Sequence, residues 1–340
     1  PELPGLPEPE GIALCREYGI SEILSGIRAD LARFRCEHEQ FASEKELVEK
    51  GAVQSALQFL EDAGFSYTSE GALWLKTAAL GDDHDRVLRK SDGSLTYFAT
   101  DIAYHHDKFG RGFDCLIDIW GADHHGYIPR MQAAIAHMGH DPEKFTVLLV
   151  QLVNLQRDGK PVQMSTRSGE FETLAALMDE VGTDAARFMF LSRSHDAPLD
   201  FDLELAKKHS LENPVYYVQY AHARVSALKR RAEENGMRLE DNPGPGILAT
   251  LVSQTELAIM RKLAAFAETV ANAAKNMAPY HIGKYLLELA AQMHSYYAHQ
   301  QILDPEDLAA TTARMALLTA CAQTIKNGLF LLGVSAPDVM

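Results

Sequence analysis

Apolar residues recur every three to four positions through residues 11–65, in stretches such as "SEILSGIRADLARF" and "EKELVEKGAVQSALQFLEDAG". That is the spacing of helices with one buried face, and Gly64 supplies a stop. The period then shortens. "ALWLKTAALG" (72–81) reads as a strand or short extended run, and "DDHDRVLRKSDGSLTYFAT" as a hairpin turning at Asp92-Gly93. Strands and helices alternate from there. "LTYFAT" is a strand leading into the helix "DIAYHHDKF", which Gly110 ends. "FDCLIDIW" is a second strand, followed by the loop "GADHHG" and the helix "YIPRMQAAIAHM", ended by Gly139. "KFTVLLVQLVNL" reads as a third strand, apolar throughout and so buried on both faces. From about residue 203 the period is helical only, in about four long helices separated by breaks such as "DNPGPG".

This order predicts an α/β domain with a partial, Rossmann-like parallel sheet, followed by an all-α helical bundle. The divisions fall at 1–90, 91–202 and 203–340. In a parallel sheet ligands sit where the loops leave the carboxyl ends of the strands. The stretches to read for chemistry are therefore the one at Asp101, "GADHHG", and "QMSTRSG" after the third strand.

Composition changes this picture little. The chain has 340 residues, 46% hydrophobic and 23% charged, enough for two cores. Four scattered cysteines (Cys15, Cys36, Cys115, Cys321) form no Cys-x-x-Cys pair, which predicts a reducing, cytoplasmic setting without a disulfide framework. No apolar run reaches the roughly 18 residues of a membrane span. The start, "PELPGLPEPEGIALCREYG", without a methionine, reads as the middle of a longer chain. A net charge of −15 argues against a general nucleic-acid binder. It leaves room for a local basic face at "RVSALKRRAEE" (224–234), although charge alone favours reading that stretch as a solvated helix end.

Each chemical candidate has a plain structural alternative. Asp101 could cap a helix. With Tyr97 four residues earlier on the same face of a strand, it could also grip a cation, and a planar guanidinium fits one carboxylate best. Asp123, His124, His125, His105 and His106 are metal-ligand types, yet the spacing matches no recognisable metal motif. Histidines before a helix suit a nucleotide or a carboxylate better. In "QMSTRSGEF" small hydroxyls and Arg167 precede a helix, an anion site or an ordinary capped turn. Tyr216, Tyr217 and Tyr220, with Arg224 one turn on, form either a core stripe or an RNA-stacking face. "HIGK" (281–284) lies inside a helical pattern and is set aside.

Taken together, "TYFATDIAYHHDKF", "WGADHHGYIPR", "VQMSTRSGEF", "DEVGTDAARF", "NPVYYVQYAHAR" and "LLGVSAP" resemble arginyl-tRNA synthetases, a class I family, over roughly residues 15–340. The resemblance implies a helical insertion and connecting hairpin over 1–90, the second half of the catalytic domain over 91–202, and an anticodon-binding domain over 203–340. It implies that Met164, Ser165, Thr166, Arg167 and Ser168 are the family's KMSKS-type loop, with Gln163 and Thr166 in place of its lysines. It implies ATP at Gly121, His124, Met164 and Ser165, with magnesium accompanying the nucleotide. Arginine would be held by Tyr97, Asp101 and His125, and the tRNA for arginine by Tyr217, Tyr220 and Arg224. The expected whole is a monomeric arginine–tRNA ligase, the HIGH-type motif lying before residue 1 and this chain an inactive fragment of it. The rival expectations are a helical tRNA-binding fragment without catalytic duty and, further off, a metal-dependent hydrolase.

Overall fold

The computed structural model describes residues 5–162, 172–240 and 242–340. The chain packs as two units. One comprises residues 38–152 with 195–198, the other the chain through Glu37 with 153–194 and 199–340.

The first helix, α1 (Glu8–Arg33), belongs to the second of these. The 38–152 unit opens with α2 (Glu44–Glu49) and α3 (Ala52–Asp62). Val53, Ala56, Leu57 and Leu60 bury one stripe of α3, as a 3.6-residue period requires. Strands β1 (Ser66–Ser69), β2 (Ala72–Leu75) and β3 (Arg86–Arg89) form an antiparallel sheet in that order. The turn expected at Asp92-Gly93 is present, with the Lys90 N–H donating to the Ser94 carbonyl at 2.9 Å and Gly93 at φ +82°.

Beyond this turn the chain departs from the expectation. "LTYFAT" is not a strand: after a single bridge between Arg89 and Leu95, helix α4 runs from Tyr97 to Gly110. Thr96 is its cap, the hydroxyl accepting from the Ala99 N–H, so Asp101 is neither a strand end nor a cap but sits in the helix's second turn. Phe98, Ala99, Ile102, Ala103 and His105 form the buried face. Strands β4 (Leu116–Gly121) and β5 (Phe145–Val150) pair in parallel from Leu116↔Phe145 to Gly121↔Val150. A 3-10 turn over 122–127 and helix α5 (Ile128–His137) connect them.

The long apolar run is a second correction. It breaks at Gln151–Leu152, where the Gln151 N–H leaves the ladder to donate to the His195 carbonyl at 2.8 Å. Beyond the break β6 (Val153–Arg157) joins another sheet, with β7 (Lys160–Pro161) on one side and β8 (Leu199–Asp202), parallel, on the other. Nor is β5 covered on both faces; of its six residues only Phe145 is buried.

The second unit continues with α6 (Leu174–Val181), α7 (Thr183–Phe190), α8 (Leu203–Lys207), α9 (Pro214–Glu234), α10 (Pro245–Leu248), α11 (Gln254–Ala264), α12 (Phe266–Lys275), α13 (Tyr280–His299) and α14 (Leu308–Leu331). The "HIGK" tetrapeptide lies within α13. Helix α14 buries residues all round, as a central bundle helix does. It approaches α13 closely at Gly328, where a Cβ would lie 2.6 Å from Leu286 Cδ2. One guanidinium ties two helix ends together. Arg187 of α7 donates to the carbonyls of Phe34 (2.6 Å) and Arg35 (3.2 Å) after α1, and of Leu332 (2.8 Å) after α14. The segment after α14 is pinned along α9 by Gln219, donating to the Ser335 carbonyl (2.9 Å), and by His222, donating to that of Pro337 (3.1 Å). No helix among the described residues is long and apolar enough to cross a membrane.

Candidate active site

The carboxyl end of β4 and one face of α4 bound a cleft of about 570 Å³, in the size range of small-molecule sites. Helical geometry sets the α4 side. Tyr97, Asp101, Tyr104 or His105, and Lys108 follow one another at intervals of three or four residues and line it together. Tyr97 and Asp101 thus share a face, by helical rather than strand spacing. From the other side come Asp118, Trp120 and Gly121 of β4, His124 and Tyr127 of the turn after it, and Met131 of α5.

The charges in this cleft are unequal in their pairing. Asp118 accepts from Lys108 Nζ at 2.7 Å and meets His105 Nε2 at 2.8 Å. Burial raises its carboxyl, but hydrogen bonds and charge from His105 and Lys108 outweigh burial and hold it below the usual range. His105 is fixed at its other nitrogen, Nδ1 donating to the Asp101 carbonyl at 2.7 Å. Asp101 differs. Its Oδ2 accepts from the Tyr127 hydroxyl at 2.7 Å, while Oδ1 accepts no hydrogen bond among the described residues. Burial, then the hydrogen bond and charge of Asp101, push the Tyr127 hydroxyl well above the tyrosine range, so it remains a donor at any ordinary pH. The cleft therefore presents one carboxylate with an uncommitted oxygen, beside the exposed ring of Tyr97 and the half-buried ring of Trp120. That arrangement suits a cation with hydrogen-bond donors and an apolar stem.

The Asp118 cluster carries a stability prediction. A carboxyl whose folded pKa is depressed stabilises above its unfolded pKa, about 4, and that contribution fades as pH falls through the lower folded value. Asp118→Asn is expected to destabilise the 38–152 unit by roughly 2–3 kcal/mol at pH 7 and much less near pH 3. Denaturant unfolding of both proteins at the two pH values measures the difference.

The other residues singled out in the sequence are scattered more widely. His124 lines the cleft and is largely exposed, its Nε2 3.5 Å from Asp123 Oδ2. His125 is not among the lining residues; its Nδ1 donates to the Ala122 carbonyl at 3.2 Å. At Gly121 a Cβ would come within 2.6 Å of Asp123 Oδ1, the end of an exposed side chain. His105 and His106 diverge, the latter meeting His140 Nε2 at 2.8 Å. Among the described residues no three His, Cys, Asp or Glu side chains are grouped to hold a metal ion. Met164, Ser165, Thr166, Arg167 and Ser168 lie outside the described residues.

In α9, Tyr217 is half-buried against the core, edge-on to His294 at 4.6 Å, and burial raises its hydroxyl. Tyr220 stacks on His294 at 5.8 Å. Arg224 lies 3.7 Å from the centre of the Tyr297 ring and donates to His294 Nδ1 at 3.3 Å. His294 Nε2 donates in turn to the Tyr217 carbonyl at 3.1 Å; burial, with the charge of Arg224, lowers its pKa against that hydrogen bond, which raises it. Sequence reasoning misses Tyr127, Lys108 and Asp118. The signal for Tyr127 is its place in "GADHHGYIPR", directly after the β4 turn; Lys108 and Asp118 carry none, because their pairing crosses elements.

Two family models match the chain. The class I tRNA synthetase (R) catalytic-domain family model matches residues 25–200, and the DALR anticodon-binding domain model matches residues 218–340. An arginine–tRNA ligase of Desulfovibrio desulfuricans is 57% identical over all 340 residues, and the chain spans 62% of its length. A solved Campylobacter jejuni structure, assigned as an arginyl-tRNA synthetase, is 32% identical with a TM-score of 0.87, covering 98% of this chain and 71% of that one. The Thermus thermophilus arginyl-tRNA synthetase, at 22% identity, shares the fold with a TM-score of 0.79 over 97% of this chain and 66% of that one. The parallel β4–β5 pairing, the helical bundle and these matches lead to one assignment: the chain belongs to the arginyl-tRNA synthetase family.

Proposed function

We propose that the chain carries the amino-acid pocket and the tRNA-binding helices of an arginine–tRNA ligase. The observation that carries this is Asp101: a carboxylate with one oxygen held by Tyr127 and the other uncommitted, in an aromatic-walled cleft at the end of β4. In this reading Asp101 takes the guanidinium of arginine, and Tyr97 lies along the side chain. Gly121 and His124 belong to the nucleotide side of the site. The loop with Met164, Ser165, Thr166, Arg167 and Ser168 is assigned from sequence alone to the ATP phosphates.

The reaction read onto this site begins with attack of the arginine carboxylate on the α-phosphorus of ATP. The bond to pyrophosphate breaks, giving arginyl-adenylate, and a ribose hydroxyl of the tRNA 3′ end then displaces AMP. The chain's own residues contribute positioning and charge neutralisation. Magnesium is assigned as the counter-ion of ATP. Because the chain spans 62% of the length of its curated relatives, the 340 residues alone are expected to bind arginine without completing tRNA charging.

The test is arginine-dependent ATP–pyrophosphate exchange and tRNA charging, measured on this chain and on the chain joined to the segment of the Desulfovibrio relative that it does not match. Activity in the joined protein, lost on Asp101→Asn, supports the reading; charging of another amino acid in arginine's place refutes it. On the helical side, Tyr220 and Arg224 are proposed to face tRNA. Arg224→Ala is expected to weaken tRNA binding about three- to tenfold and to flatten its salt dependence, which a filter-binding titration at two salt concentrations reads.

A further inference from the structure

We propose that Tyr127, seated by Arg130, is a specificity-determining residue: its hydroxyl fixes the plane of the Asp101 carboxylate, so that the cleft takes a planar guanidinium in preference to an ammonium. This rests on the reading of the cleft as the arginine pocket.

The terminal torsion of an aspartate is soft, so an untethered carboxylate samples many orientations. At Asp101 that rotation is restrained by the one side-chain hydrogen bond it makes among the described residues, the 2.7 Å bond from Tyr127 to Oδ2. A guanidinium gains two parallel hydrogen bonds only when it is coplanar with the carboxylate; an ammonium is a compact donor that is satisfied from almost any direction. Fixing the plane therefore favours the first ligand and gives the second almost nothing.

The hydroxyl can do this only if its ring is itself immobile. Phe98 and Trp120 meet the Tyr127 ring edge-on, at 6.0 and 5.7 Å, and the Arg130 guanidinium lies 4.7 Å from the ring centre. Arg130 is held in an unusual manner. Its Nε is buried without a hydrogen-bond partner among the described residues, 3.9 Å from Asp82 Oδ2. Both oxygens of Asp82 are already engaged, by Arg86 at 2.7 and 2.8 Å and by the Asp83 N–H at 2.9 Å. Arg130 is seated by the charge of Asp82 and by the rings of Tyr127 and, at 5.8 Å, Phe98. Tyr127 thus links two carboxylates: Asp82 holds the guanidinium that lies over its ring, and Asp101 accepts from its hydroxyl and keeps one oxygen uncommitted.

Calorimetric titration of the chain with l-arginine and with l-lysine tests the proposal on wild type, Tyr127→Phe and Arg130→Lys. Phenylalanine keeps the ring packing and removes only the hydroxyl. The expected result is an arginine affinity about tenfold lower in Y127F with lysine affinity changed less than twofold, so that discrimination narrows by nearly the whole factor. R130K, which keeps the charge but loses the flat contact, is expected to fall between. Equal losses for both ligands would mark Tyr127 as merely structural, and no loss for either would show Asp101 to be oriented without it; each overturns the proposal while the pocket assignment stands. A wild-type chain that binds neither amino acid would overturn the pocket assignment itself.

Discussion

Asp101→Asn is expected to lower the affinity of the chain for arginine about 100-fold, corresponding to roughly 3 kcal/mol for a lost bidentate, charge-assisted contact. The magnitude reflects more than the missing charge. Tyr127 donates to Oδ2 of residue 101 and stays protonated at ordinary pH. An asparagine there would turn its carbonyl oxygen to Tyr127 and its amide N–H groups into the cleft. Donors would then face the donors of the guanidinium. The side chain is only half-buried, so the melting temperature should scarcely move. Calorimetry alongside a thermal melt separates the two effects, and an arginine affinity within threefold of wild type would remove Asp101 from the pocket.

The second large effect lies far along the chain, at Gly333. Helix α14 ends in a Schellman arrangement, with the Val334 N–H donating to the Leu329 carbonyl at 2.8 Å and Gly333 in the left-handed region at φ +65°. A Cβ added there would lie 2.5 Å from Arg187 Nε and 2.7 Å from its Cζ. That guanidinium cannot simply retreat, because it holds the carbonyls of Phe34, Arg35 and Leu332. Gly333→Ala combines backbone strain with displacement of a half-buried cation. It is expected to destabilise the helical unit by about 3 kcal/mol, lowering its melting temperature by roughly 6–12 °C. Arg187→Ala in the same background should recover little, since the strained backbone remains and three carbonyls lose their donor.

Much of the architecture was legible in the sequence because its signals are local. The turn at Asp92-Gly93, the helix stops at Gly64 and Gly139, and the change of period near residue 203 depend on nearest neighbours alone. Misreadings came where partners are distant. Aromatic and β-branched residues in "LTYFAT" favour a strand, but the Thr96 hydroxyl caps Ala99 and the apolar face of Phe98, Ala99 and Ile102 packs as a helix. The pairing of Tyr97 with Asp101 survived that error because four residues apart means the same face in either geometry. The run 144–155 looks continuous, and the bond to the carbonyl of His195, some 40 residues away, shows where it breaks. In the site, Asp101 was visible as a carboxylate at a junction. Its orientation by Tyr127, and the neutralisation of Asp118 by Lys108 and His105, depend on how α4 meets β4, which no local pattern encodes.

The most direct measurement is titration of the wild-type chain with l-arginine and with l-citrulline, whose ureido group keeps the shape of the guanidinium but not its charge or its second pair of donors. If the uncommitted oxygen of Asp101 is what the cleft offers, arginine binds and citrulline binds at least 100-fold more weakly, roughly the scale set by a charge-assisted bidentate pair. Equal affinity for the two would mean that the cleft reads shape alone, and the assignment of Asp101 as the guanidinium ligand would be wrong.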